Sequence, residues 1–231
     1  MPRTRRIVPD NSVNHVLNRG NRRQVIFRKP ADFDVFFNLL SEAQYHVPMR
    51  IIGVCLMPNH FHLVLWPQEG RSLSAYMKWL MNAHLRRYQM HYALTGTGHV
   101  YQGRFKNFIV QSDAHFYSAV RYVEGNPLRA KLVTSARDWQ WSSLHRNQTP
   151  NRSSYLSEWP LPRPDNWEGY VNTGILPDEL AALRLSARRG SPYGGEHWTQ
   201  STVVRHGLES TVRLPGRDRK KKVTATISAF E

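Results

Sequence analysis

The sequence predicts an α+β fold, an antiparallel sheet layered with helices. Three observations carry this. Apolar residues alternate with a period of two in several short runs and recur at helical spacing in longer ones. The runs come in the order strand, helix, strand, strand, helix, strand, helix, with two of the strands joined directly. Beyond about residue 147 this patterning gives way to stretches rich in Pro, Ser and Asn.

The elements follow in order. "SVNHVLNRG" (Ser12 to Gly20) holds β-type residues and stops on glycine, a strand and a turn. In "ADFDVFFNLLSEAQYHV", Phe33, Phe36, Phe37 and Leu40 recur at helical spacing, and Pro48 marks the end. "MRIIGVCLM" and "HFHLVLW" are β-rich runs split by Pro58-Asn59, which predicts a hairpin. A long helix runs from Ser72 to Tyr92, its apolar stripe made by Leu73, Met77, Leu80, Met81, Leu85, Tyr88 and Tyr92. "VYQGRFKNFIV" (Val100 to Val110) alternates again, so Gln102, Arg104 and Lys106 share one face of a strand. Ser112 is the expected cap of a helix from Asp113 to Glu124, whose core face is Phe116, Ala119, Val120 and Val123. Gly125 and Pro127 interrupt it.

This order fits a ferredoxin-like split arrangement with its helices on one face, spanning residues 1–147. Residues 148–210 read as an irregular extension with short helices at Pro177 to Arg189 and Glu196 to His206. Residues 211–231 form a basic tail too polar to fold by itself.

Charge narrows the function. The 231 residues carry 32 Lys and Arg against 17 Asp and Glu, a formal net charge of +15. A surface this basic calls for a polyanion, and nucleic acid is the usual one. A membrane surface fits less well, because the charge is spread along the chain and not gathered on one amphipathic helix. Cys55 is the single cysteine, which rules out an internal disulfide and fits a reducing compartment. "MPRTRRIVPDN" has no apolar stretch behind it, and no apolar run reaches the roughly 18 residues a span requires. A cytoplasmic protein acting at the bacterial nucleoid is expected.

"CLMPNHFHLVLW" (Cys55 to Trp66) raises the chemical question. On a strand His60 and His62 point the same way and Phe61 the other, so Phe61 enters the core while two imidazoles face a cleft outside it. Such a pair suits a metal held by neutral nitrogens. It suits equally two histidines bonded to neighbouring backbone carbonyls. On the helix ending at Glu124, Tyr122 lies about 110° from the middle of the core stripe, and Asn126 follows one turn later. A phenol and an amide stacked this way could face the histidines. An amphipathic rim tyrosine and an ordinary Asn-Pro turn explain the same residues, and Tyr101 and Tyr117 are rival phenols.

"NRGNRRQVIF", "CLMPNHFHLVLW", "YQGRFKNFIV" and "RYVEGNPLRAKLV", in this order and spacing, resemble the REP-associated tyrosine transposases, a branch of the single-tyrosine HUH transposases. The resemblance covers residues 3–145, and "LRLSARRGSPYGGEHW" is similar to the C-terminal extension of many such proteins. It implies that His60 and His62 bind the metal, that Asn126 is an amide-type third ligand, and that Tyr122 is the catalytic nucleophile. The metal implied is Mg²⁺ or Mn²⁺. The implied substrate is single-stranded DNA folded into a short palindromic hairpin with a flanking guide tetranucleotide. The activity implied is nicking and strand transfer through a covalent 5′-phosphotyrosine, by a monomer or homodimer. Arg104, Lys106, Arg121 and Arg129 are then expected on the DNA backbone, and Tyr101, in the place of a tryptophan in "WQGRF", as a packing or base-stacking ring. Trp79 and Trp141 are further candidates for stacking. Arg217 and Arg219 in the tail are expected to add phosphate contacts. Two other function classes remain open: a silent hairpin-binding protein, and a metal-dependent hydrolase that uses water.

Overall fold

The computed structural model describes residues 6–96, 98–147 and 155–213. Strands β1 (Val13–Arg19), β2 (Arg50–Met57), β3 (His60–Trp66) and β4 (Lys106–Val110) form one sheet in the order β2-β3-β1-β4, every pair antiparallel. The tight Pro58-Asn59 turn joins β2 to β3. Each helical crossover skips a strand: α1 (Pro30–His46) links β1 to β2 around β3, and α2 (Gly70–His91) links β3 to β4 around β1. This is the ferredoxin-like arrangement that the order of elements predicts.

Both crossover helices lie on one face. Pro30 opens α1, and Asp32 accepts hydrogen bonds from the backbone nitrogens of Arg28 (2.7 Å) and Lys29 (3.2 Å), which ties down the entry. Phe36, Leu40, Leu73, Tyr76, Met77 and Leu80 then pack on Val16, Val54, Leu56, Phe61, Leu63 and Leu65. The Tyr76 hydroxyl donates to the Leu40 carbonyl at 3.1 Å, so the one polar atom of that ring is satisfied in the core.

The second face is covered too, which corrects the expectation of helices on one side. Helix α3 (Ala114–Glu124) lays Phe116, Ala119, Val120 and Val123 on Val13, Cys55, Val64 and Phe108. Its apolar stripe shows that it must pack against something, and the connection after β4 takes it to the face that α1 and α2 leave open. Asp113, not Ser112, caps it, accepting from His115 N at 2.8 Å. The helix breaks at Gly125 and resumes as α4 (Asn126–Arg129), because Pro127 has no N–H to continue the ladder.

Short helices follow: α5 (Ser143–Arg146), α6 (Trp167–Asn172), α7 (Pro177–Arg189), α8 (Glu196–His206) and α9 (Glu209–Val212). The bounds of α7 and α8 are those the sequence predicts. From residue 155 the stretch before them is the irregular wrap, and not the linker, that its composition allows. Trp159 donates to the Ile52 carbonyl at 3.2 Å, Trp167 is buried, and Ser157 N bonds Ile51 O at 2.8 Å beside a bridge between Ile51 and Leu156. At the other sheet edge Tyr193 exchanges backbone bonds with Ile109 (2.8 Å) and Gln111 (2.9 Å). The fourth strand is shorter than predicted: it begins at Lys106, and Tyr101 makes only a single bridge to Gly20. No helix among the described residues is long and apolar enough to cross a membrane.

Candidate active site

Strand β3 divides its side chains between the two faces. Phe61, Leu63 and Leu65 join the core under α1 and α2, while His60 and His62 point to the α3 side. The register of β1 sets Arg19 opposite His60 and Leu17 opposite His62, and β4 adds Lys106 opposite Leu17. Helix α3 crosses this face with Tyr122 on its flank, as the helical rotation predicts. The Tyr122 ring centroid stands 5.7 Å from those of His62 and His15, and the His60 and His62 centroids are 5.0 Å apart at 85°.

One cavity of about 530 Å³ opens beside these groups. His60, His62, Tyr122 and Asn126 share it with six cationic residues: Arg19, Arg104, Lys106, Arg129, Arg184 and Arg188. Among the described residues no Asp or Glu lines it. The cleft is deeper than expected, because His62 is only 3% exposed while His60 is partly open. Arg129 lies over the Tyr122 ring, 4.3 Å from its centroid, and its Nη2 donates to the Tyr122 carbonyl at 2.5 Å. One short segment thus ties the phenol, the amide of Asn126 and a guanidinium together. A Cβ on Gly125 would approach the Arg121 carbonyl to 2.9 Å, so the bend between Tyr122 and Asn126 favours glycine.

Burial dominates the electrostatics. Desolvation, with nearby arginines adding to it, lowers His60 to about 4 and His15 to about 3. Burial first, then the neighbouring His15 and His60, puts His62 well below its ordinary value. All three imidazoles are therefore neutral at neutral pH, the form that ligates metals. Among the described residues no cluster of three or more His, Cys, Asp or Glu could hold a metal ion. The neutral donors lining the cavity are instead two imidazoles and the amides of Asn18, Gln102 and Asn126, and the imidazoles with an amide fit a divalent cation that takes further oxygen ligands.

Glu124 anchors the end of α3. It is fully buried and accepts from Ser143 Oγ (2.5 Å) and Trp167 Nε1 (2.6 Å), while Ser143 Oγ accepts from Val54 N of β2. Burial raises its carboxyl above the ordinary value, partly offset by those two donors. Two residues on either side of this knot stand Tyr122 and Asn126.

The other sequence candidates fall elsewhere. Tyr101 is buried, its hydroxyl bonded to His84 Nδ1 at 2.7 Å, and its ring packs in the first-face core. Trp141 stacks on Phe33 at 4.6 Å in the same core, and Trp79 lies against His46. The rival phenol Tyr117 donates to the Pro162 carbonyl at 2.7 Å and packs against Trp159 and Trp167. Arg121 is 7% exposed and pairs with Glu179, which docks α7 on α3. Arg217 and Arg219 lie outside the described residues. Sequence reasoning missed Arg19, His15, Arg184 and Arg188. The last two sit one turn apart on the exposed side of α7, and only the packing of α7 turns them to the cavity.

Comparison with known proteins gives a family and a fold. Residues 10–126, half of the chain, match the profile of the IS200-like transposases. A Haemophilus influenzae protein provisionally named a REP-associated tyrosine transposase is 24% identical over 110 residues, which are 44% of this chain and 62% of that protein. The chain therefore spans less than two thirds of that relative. A solved REP-associated tyrosine transposase bound to a REP hairpin superposes with a TM-score of 0.54 at 17% identity, covering 71% of this chain and 96% of the other, and so shares the fold.

Proposed function

The chain belongs to the IS200-like transposase family, and we propose that it nicks and rejoins single-stranded DNA at hairpin elements through a covalent link to Tyr122. The observation that carries this is the shared cavity: one phenol, two neutral imidazoles and the amide of Asn126 meet there, ringed by six cations and, among the described residues, free of carboxylates. A site of that charge repels anionic side chains and attracts a phosphodiester.

In the reaction the Tyr122 oxygen attacks the scissile phosphorus. The new O–P bond forms as the bond to the 3′ oxygen breaks, and the phenol proton leaves while the departing oxygen becomes a free 3′-hydroxyl. The 5′ side stays on the tyrosine, so a second 3′-hydroxyl can reverse the step and exchange strands without ATP. His60, His62 and Asn126 would hold a divalent cation, Mg²⁺ or Mn²⁺, which when bound would supply charge neutralisation at the phosphate. Arg129 is poised to balance charge that develops at Tyr122 or on the phosphate beside it. Arg104 and Lys106, with Arg184 and Arg188 of α7, line the same cavity and would hold the strand by its phosphates.

The test is incubation of the full chain with a labelled single-stranded hairpin and Mn²⁺. A protein–DNA adduct that survives denaturation supports the reading. Cleavage to completion with no adduct would mean that water is the nucleophile.

A further inference from the structure

We propose that His15 is a positioning residue for His62: it accepts the hydrogen bond of His62 Nδ1–H and so leaves the His62 Nε2 lone pair for a cation in the cavity. The inference rests on reading His62 as a metal ligand.

His15 is wholly buried on β1. Its direct partner across the β1–β3 ladder is Val64, so His62 is its diagonal neighbour on the same face, within reach of an aromatic side chain. His15 Nε2 lies 2.8 Å from His62 Nδ1, with the rings near parallel at 18°. Phe108 (centroids 4.8 Å) and Tyr122 (5.7 Å) wedge the His15 ring edge-on, which fixes its orientation. Two neutral imidazoles at this distance share one proton. If His62 donates, its Nε2 is a lone pair. If His15 donates, the His62 proton moves to Nε2 and blocks ligation there.

The neighbouring histidine argues for the first arrangement. His60 Nδ1 is 2.6 Å from Asn59 Oδ1, and Asn59 Nδ2 donates to the Arg23 carbonyl at 3.1 Å. That second bond orients the amide with its oxygen toward His60, so His60 must donate from Nδ1 and present Nε2. His60 and His62 are thus engaged through the same ring atom, one by an amide and the other by an imidazole. Metal-binding histidines are generally oriented in this manner. Packing does not explain His15 by itself. Its Nδ1 is buried without a hydrogen-bond partner, a cost that an apolar ring such as Phe would avoid. Val13 and Leu17, on the same face of the strand, are apolar.

Nitrogen NMR of the full chain, uniformly ¹⁵N-labelled, reads the tautomer directly, without metal and with Mg²⁺. His62 is expected protonated at Nδ1 and bare at Nε2 in both samples. A proton on His62 Nε2 in the metal-free protein overturns the proposal. Calorimetric titration with Mn²⁺ then compares His15→Gln, whose amide oxygen can still accept, with His15→Leu. His15→Leu should weaken Mn²⁺ binding by about 10- to 100-fold, and His15→Gln only a few-fold. Circular dichroism melts and metal-free hairpin binding report whether each variant is folded. Unchanged affinity in a folded His15→Leu, or equal losses in both folded variants, would make His15 a packing residue only. If the native chain binds no Mn²⁺, the metal reading of His60 and His62 fails, while the metal-free spectrum still decides what His15 does to His62.

Discussion

The two faces of the sheet are built from the same strands to opposite ends. Under α1 and α2, the Phe61 side of β3 meets an aromatic and aliphatic core whose buried polar groups are few and paired, such as His84 with Tyr101. Under α3, the His60 side of β3 meets His15, Tyr122, Arg129 and, behind them, Glu124 with its two donors. Burying polar groups costs free energy unless each is bonded, so the second face is the weaker source of stability. Alternation along a strand makes the division: one face stabilises the sheet while the other holds chemistry in fixed positions.

That contrast can be broken by substitution. Tyr122→Phe, on the chemical face, should reduce adduct formation on the order of 10³-fold or more by denaturing gel, with hairpin affinity within a few-fold and an unchanged melting temperature. An adduct that persists would move the nucleophile to another residue. Phe36→Ala, on the other face, removes a fully buried ring and should destabilise by about 3–5 kcal/mol in urea unfolding. Below its melting temperature that variant should bind Mn²⁺ as the native chain does. A large loss of affinity without unfolding would mean that the faces are coupled.

Acid should act chiefly through the chemical face. His15 and His60, held near 3 and near 4, are neutral in the folded chain but take up protons near 6.5 once unfolded. The unfolded state then binds more protons, so stability falls as pH drops from about 6.5 toward 4 and is flat just above that window. His84 on the first face, lowered to about 4 by burial, adds to the same slope. Urea unfolding of His84→Gln and His15→Gln across this range apportions it, and a larger loss of slope in His84→Gln would reverse the comparison. The smallest effect is expected at the rim. Arg184→Ala with Arg188→Ala should flatten the dependence of log affinity on log salt by about 1.4 for a single strand, from roughly 0.7 per phosphate contact. Equal slopes would mean that α7 touches no DNA.

Much of this was legible in the sequence, and the parts that were not share a cause. Period-two and helical patterning identified the elements because burial on one side writes itself into local order. Phe61 flanked by His60 and His62 showed which residues leave the core, and the rotation of α3 set Tyr122 on a flank. The side of the sheet that α3 covers was not legible, because an apolar stripe does not say which surface it meets. His15 was read as one more residue of a strand, since its partner stands diagonally across a ladder between residues 47 positions apart. Arg184 and Arg188 occupy the polar side of α7 and look solvated until the helix is docked by Glu179 on Arg121. Trp159 and Trp167 sit among Pro, Ser and Asn, a composition that suggests a linker, and are drawn in by contacts with Ile52 and Glu124.

The segments laid along the two outer strands have a consequence for assembly. An open sheet ends in rows of unpaired backbone donors and acceptors, ready templates for another chain. Here Leu56 N on β2 already bonds the Trp141 carbonyl at 2.9 Å, Ile51 is bridged to Leu156, and Tyr193 occupies the margin of β4. At these positions a second copy could not extend the sheet by adding a strand without first peeling away the protein's own C-terminal half. A chain cut back to the matched span of residues 10–126 would lose all three covers at once. It would expose two sticky margins along with the carboxylate of Glu124, and aggregation would be its expected fate.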